Sequence, residues 1–196
     1  MAFARGFKTW CENTSKGLRK ELRLGPSDPI DTRALAAHLG VVVWNAEEVP
    51  GVDSEALETL LVEDPDSWSA LTVRAAGQSV VIMNSTHTGG RPASNLAHEL
   101  AHLILDHTAA RVDVSEDGFL VLQSFDRQQE DEANWLAGCL LLPRSALLVA
   151  VKAKTPNEEI AREFGVSTQM VQYRLNVTGV LSQVRAGGRR RSRKAR

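Results

Sequence analysis

His98-Glu99-Leu100-Ala101-His102 decides how this chain is read. Two histidines four residues apart lie one above the other on a helix, about 6 Å apart. Both imidazoles can then reach one tetrahedral Zn²⁺ at about 2.0–2.1 Å. The glutamate between them falls beside such an ion, where its carboxylate can take a proton from a bound water. The surroundings make the stretch a helix. Pro92 and Ser94 read as its start, with Ser94 as N-cap. Leu96, Leu100 and Leu103 recur at helical spacing, and Ala97, Ala101 and Ile104 repeat it beside them. A helix apolar over so much of its girth is buried. The bland alternative is a surface helix that happens to carry two histidines and an acid. It conflicts with burial, because polar groups taken from water without partners cost several kcal/mol. A metal ion is a partner that all three can share.

Such an ion needs a third protein ligand. One long zincin pattern places a glycine three residues past the second histidine and a histidine three further on. Leu105 and Thr108 stand there, so His107 misses by one and reads as a cation at a helix C-terminus. The other solution is a carboxylate on a second helix. Asp126 is a fitting N-cap for one that runs through Gln129, Glu130, Asn134, Trp135, Leu136, Leu140 and Leu141 and stops before Pro143. Glu130 and Asn134 share a face with Ala133 and Ala137, whose small side chains permit close approach. Glu132 points about 200° away from Glu130. Glu130 is therefore the expected ligand, with Glu132 as the alternative.

At this point the chain resembles the ImmA/IrrE family of bacterial and phage metallo-endopeptidases. Pro29-Ile30-Asp31 and Leu35-Ala36-Ala37-His38-Leu39-Gly40-Val41 are similar to that family's entry segment. Ile82-Met83-Asn84, then Arg91, resemble its approach to the histidine motif. Glu130-Asp131-Glu132-Ala133-Asn134 with Leu140-Leu141-Leu142-Pro143 match its E-x-E-A-N block. Ile160-Ala161, Phe164, Val166-Ser167, Val171 and Arg174-Leu175 match its C-terminal segment. The resemblance implies Glu130 as third zinc ligand, and substrates of the helix-turn-helix repressor type, cleaved to release stress or mobile-element genes. Two departures stand out. Ala101 replaces a frequent glycine and keeps packing close. Ser94-Asn95 replaces an aromatic and a threonine, which bears on the cleft rim and substrate preference.

The rest of the chain sets the frame. It has 196 residues, 43% of them hydrophobic, and a net charge of −1. One main domain with an appendage is expected. No apolar run reaches spanning length, and Met1 to Trp10 holds no apolar core of a secretory signal. Cys11 and Cys139 read as small buried hydrophobes. A cytoplasmic location without membrane association is expected. Helices are predicted over Lys8 to Leu24 and Asp31 to Leu39, and a strand over Val41 to Trp44. A hairpin of Ser69 to Arg74 and Ser79 to Met83 is joined by Ala75-Ala76-Gly77-Gln78. One hairpin strand is expected to supply the edge on which substrate adds as a strand. The fold class is α+β: a zincin-like metallopeptidase domain (1–150) with a small β-sheet and the HELAH helix, then a helix-turn-helix-like segment (151–184).

Asn157 to Leu175 has the form of a helix, a turn at Gly165 and a second helix capped by Ser167. Thr168, Gln169, Gln172, Tyr173 and Asn176 on that second helix are of types that read base edges. Charge argues for packing instead. Arg185 to Arg196 carry seven positive charges and no acid, which leaves −8 on the remainder. The segment 185–196 is expected to be a disordered basic tail that touches nucleic acid weakly through phosphates. The expected activity is zinc-dependent endopeptidase action on a few intracellular proteins, with Glu99 as general base and His98, His102 and Glu130 as zinc ligands. The donor to the developing oxyanion is left open among His87, Arg91, His107 and Tyr173. Asn134 or a nearby acid is expected to orient a ligand histidine. The alternative is a non-catalytic or DNA-binding regulator that keeps the zincin shell.

Overall fold

The computed structural model describes residues 3–75, 77–107, 112–114, 120–122 and 126–194. The chain enters through α1 (Phe7–Glu21). Asp31 then caps α2 (Thr32–His38), its carboxylate accepting the backbone N–H groups of Arg33 and Ala34. Gly40, at φ 71°, turns the chain into β1 (Val42–Asn45). A short α3 (Ser54–Glu58) leads to the predicted hairpin, β2 (Ala70–Ala75) and β3 (Gln78–Met83), with Leu71 opposite Ile82 and Val73 opposite Val80. Ala76 of its turn lies outside the described residues. Because β1 joins β3 in parallel, the sheet order is β1-β3-β2 and β2 forms one edge.

Next comes α4 (Arg91–Ile104), which carries the histidine motif, and a two-stranded ribbon of β4 (Val112–Val114) and β5 (Leu120–Leu122). The remaining described elements are helices: α5 (Arg127–Leu141), α6 (Arg144–Ala153), α7 (Asn157–Phe164), α8 (Thr168–Thr178) and α9 (Val180–Lys194). The architecture is α+β, as the sequence predicts. No single helix among the described residues is long and apolar enough to cross a membrane. Only α5 and α6 together, bent by 52°, have the length and composition, and the apolar residues of α5 lie in the core.

The start expected for the histidine helix is corrected. Helix α4 starts three residues before Ser94. Pro92 fits its first turn, where a missing N–H leaves nothing unpaired, and the Ser94 N–H already donates to the Gly90 carbonyl at 3.1 Å. The boundary placed at 150/151 falls inside α6, which continues to Ala153 and closes on Lys154 in the left-handed region. The segment expected to be disordered from 185 is helical through Lys194, with 195–196 outside the described residues. Val180 is buried at the start of α9, and Leu181 and Val184 pack on the core.

Buried side chains take the last carbonyl groups of α5, which an isolated helix would leave without partners. Ser15 Oγ donates to the Cys139 carbonyl at 2.6 Å, Arg19 to that of Leu140 at 2.6 Å, and Arg174 to that of Leu142, just past the helix end, at 3.1 Å. Arg174 is fully buried, pairs with Glu12 at 2.7 Å and lies against Gly138, where any larger residue would meet its side chain. It ties α8 to α1 and α5. The apolar residues of α7 and α8, among them Ile160, Phe164, Val171 and Leu175, belong to the same core as Leu96, Leu100, Leu136 and Leu140. Gly90 permits the closest approach: a Cβ there would stand 2.7 Å from the Gly165 carbonyl oxygen in the α7–α8 turn. The helix-turn-helix-like segment is thus packed into the body. Arg174→Ala takes the cation from Glu12, which keeps only the Arg144 N–H and the Cys139 thiol as donors, and strands the Leu142 carbonyl; loss of one partner of a buried pair costs roughly 3–5 kcal/mol. Urea unfolding of the variant beside the unaltered protein should show a drop of that size.

Candidate metal centre

Helix geometry sets the site. On α4, Leu96, Ala97, Leu100 and Ala101 are buried while His98, Glu99 and His102 lie half-buried on an adjoining face. Opposite them, α5 starts at Asp126, whose carboxylate accepts the Gln128 and Gln129 N–H groups. That start fixes the phase of α5 and sends Glu130 towards the histidines. His98 Nε2 lies 3.1 Å from Glu130 Oε2, His102 Nε2 lies 3.3 Å from Glu130 Oε1, and the two Nε2 atoms are 3.0 Å apart. Asn134, one turn along α5, places its Oδ1 3.1 Å from His98 Nδ1. An amide oxygen only accepts, so His98 Nδ1 bears the hydrogen and Nε2 presents a lone pair to the cluster.

The donor set fits a metal ion. Ligand atoms in a tetrahedral shell at about 2.0–2.1 Å from one centre stand about 3.3 Å from each other, close to the spacings here. Burial, then the neighbouring His98 and His107, holds the His102 imidazole down to about 4. It is therefore uncharged at neutral pH, and its approach to Glu130 is not an ion pair. His98, His102 and Glu130 together form a group able to hold a metal ion.

Glu99 stands beside this group. Burial pushes its carboxyl above the usual carboxylate range and Glu130 adds to that, against a hydrogen bond from Thr72 and the proximity of His98. Thr72 Oγ1 donates to Glu99 Oε2 at 2.5 Å. Thr72 lies in the middle of edge strand β2, between the exposed Leu71 and Val73. Sequence reasoning left Glu99 without a protein partner and missed this residue. Its signal was a hydroxyl at the inward position of an alternating strand.

A cleft of about 390 Å³ opens over the site, bounded by Ser69 and Ala70 at the start of β2, His98 and Glu99 on α4, Asn134 on α5 and Met170 on α8. Met170, unmarked in the sequence, gives the helix-turn-helix-like segment a wall of this cleft. None of the four expected oxyanion donors lines it. His87 is buried with its ring 2.9 Å from Asn95, and Arg91 pairs with Asp66 at 2.8 Å, pinning the loop before α4. Tyr173 is exposed on α8. His107, expected as a helix-end cation, instead lies buried between His102 and Glu132, which explains why Glu132 is absent from the triad.

A histidine pair on one helix, a glutamate on a second and a half-buried acid between the histidines have the form of a zincin-like metallopeptidase domain. The profile of the Peptidase_M78 family, described as an IrrE N-terminal-like domain, matches residues 57–176, more than half of the chain. The chain belongs to that family. Among solved structures, a Mycobacterium tuberculosis transcriptional regulator shares the fold, with a TM-score of 0.56, 18% identity, and coverage of 85% of this chain and 46% of that one. The chain thus spans less than half the length of that relative. No curated protein matches it significantly. Purified protein dialysed against trace zinc should retain about one ion per chain by elemental analysis, while His98→Ala and Glu130→Ala should retain essentially none. Full retention by Glu130→Ala would remove that residue from the ligand set.

Proposed function

We propose that this protein is a zinc-dependent endopeptidase that cuts a small set of intracellular proteins, foremost a transcriptional repressor of the helix-turn-helix type. One observation carries the reading. Glu99 is a half-buried carboxylate, held by Thr72 and set against the His98, His102 and Glu130 cluster, which is where a general base for peptide hydrolysis belongs. A zinc ion at the cluster would supply Lewis acidity to the scissile carbonyl and lower the pKa of a water towards about 7. The protein's own groups do the rest. Thr72 holds one Glu99 oxygen and leaves the other free to take the proton of the attacking water. Burial raises the basicity of Glu99, and the same carboxyl can then hand the proton to the leaving amine. Edge strand β2 supports substrate binding as an added strand across the cleft. Asn134 orients His98 as a ligand.

The cytoplasmic location, the repressor substrate and a role in stress or mobile-element control belong to this proposal and follow the family resemblance. A second reading, a regulator that works without cleavage, draws on the name of the mycobacterial relative and on the exposed Gln169, Gln172 and Asn176 of α8. Glu99→Gln separates the two. It preserves shape and hydrogen bonding but cannot accept the proton. The variant should keep its zinc and its melting temperature and lose cleavage of a repressor encoded beside it by about three orders of magnitude or more. Fragments are read on a gel, with and without chelator. Cleavage that persists in Glu99→Gln overturns the mechanism, and repression relieved by an intact repressor favours the second reading.

A further inference from the structure

His107 does not follow the periodicity of α4. After Ile104 the chain passes through Asp106 at φ 51°, a left-handed conformation that non-glycine residues seldom adopt. The His107 N–H then donates to the His102 carbonyl at 3.0 Å. The turn folds the His107 ring back against His102, with ring centroids 5.0 Å apart and planes at 73°. His107 Nδ1 lies 3.0 Å from His102 Nδ1, on the side of that ring away from the metal cluster, and its Nε2 lies 3.4 Å from Glu132 Oε2. The other Glu132 oxygen accepts from Gln128 Nε2 at 3.0 Å. The His107 side chain is 8% exposed and that of Glu132 17%, so both are shielded from bulk water.

Proton bookkeeping gives this row a direction. A carboxylate only accepts, so the hydrogen of a neutral His107 sits on Nε2 and its Nδ1 is bare. His102 Nδ1 must then donate to that bare nitrogen. The His102 hydrogen is fixed on Nδ1, and its Nε2 lone pair faces His98 and Glu130. We propose that His107 and Glu132 are positioning residues, a Glu132–His107–His102 relay that sets the tautomer and ring orientation of His102 for metal binding. Asn134 does the same for His98 in a single step. The two glutamates of one α5 turn thereby divide the work: Glu130 faces the metal and Glu132 holds the far end of the relay. The inference rests on the metal reading above, and outer partners of metal-bound histidines tune affinity in this way.

Two measurements on the full chain test it. In metal-free protein at neutral pH, ¹H–¹⁵N correlation of the histidine rings should show His102 protonated on Nδ1 and His107 on Nε2. A His102 ring protonated on Nε2 overturns the relay. Zinc affinity, measured by competition with a chromophoric chelator, should weaken about 10–100-fold in His107→Ala and Glu132→Ala. Glu132→Gln, which keeps an acceptor oxygen, should recover most of the loss. Alanine variants that bind zinc as tightly as the unaltered protein overturn the proposal. If either fails to fold, the ring spectrum of the unaltered protein and the glutamine variant decide. Unaltered protein that takes up no zinc would sink the metallopeptidase reading, while the ring spectrum would still judge the relay.

Discussion

Helix α5 approaches α4 closely enough for Glu130 to meet two histidines because small side chains separate the helices. Ala97 and Ala101 on α4 and Ala133 and Ala137 on α5 are all buried, and Ala133 and Ala137 flank the face that bears Glu130 and Asn134. Bulkier residues there would hold the carboxylate away from the imidazoles. The approach is secured at the far end of α5, where Ser15, Arg19 and Arg174 take the Cys139, Leu140 and Leu142 carbonyls. The N-terminal helix and the helix-turn-helix-like segment therefore serve the site from a distance. They clamp the helix that brings Glu130 to the two histidines.

That clamp supports an electrostatic arrangement which is unfavourable without a cation. Two imidazole nitrogens and a carboxylate converge within 3.0–3.3 Å of one another, and a second carboxylate, Glu99, lies half-buried alongside. Acceptors packed against acceptors gain nothing from each other. A divalent ion reverses the sign of the local field and accounts for all of them together. The neutral state of His102 agrees, since a ligand imidazole must be deprotonated.

Much of this was legible in the sequence, and the failures share a cause. HELAH and its leucine spacing revealed α4, and the helical wheel separated Glu130 from Glu132. Both are local, periodic signals. What periodicity could not reach depended on tertiary packing. Thr72 joins Glu99 from a strand 27 residues away in sequence. His107 looked like a helix-end cation because nothing in a helical wheel anticipates the left-handed Asp106. Arg174 stood out only as part of the C-terminal match, and its full burial against Glu12 and Gly138 depends on contacts far away in sequence. Ser94 had the chemistry of an N-cap, but Gly90 and Pro92 let the helix begin earlier.

The central claim is that one zinc ion is held by His98, His102 and Glu130 between α4 and α5. Anomalous scattering measured on both sides of the zinc absorption edge, from crystals of the zinc-loaded protein, addresses it most directly. The account predicts a single strong peak, about 2.0–2.2 Å from His98 Nε2, His102 Nε2 and a Glu130 carboxylate oxygen. A peak ligated by Glu132 or His107 in place of Glu130, or no peak between the two helices, would contradict it.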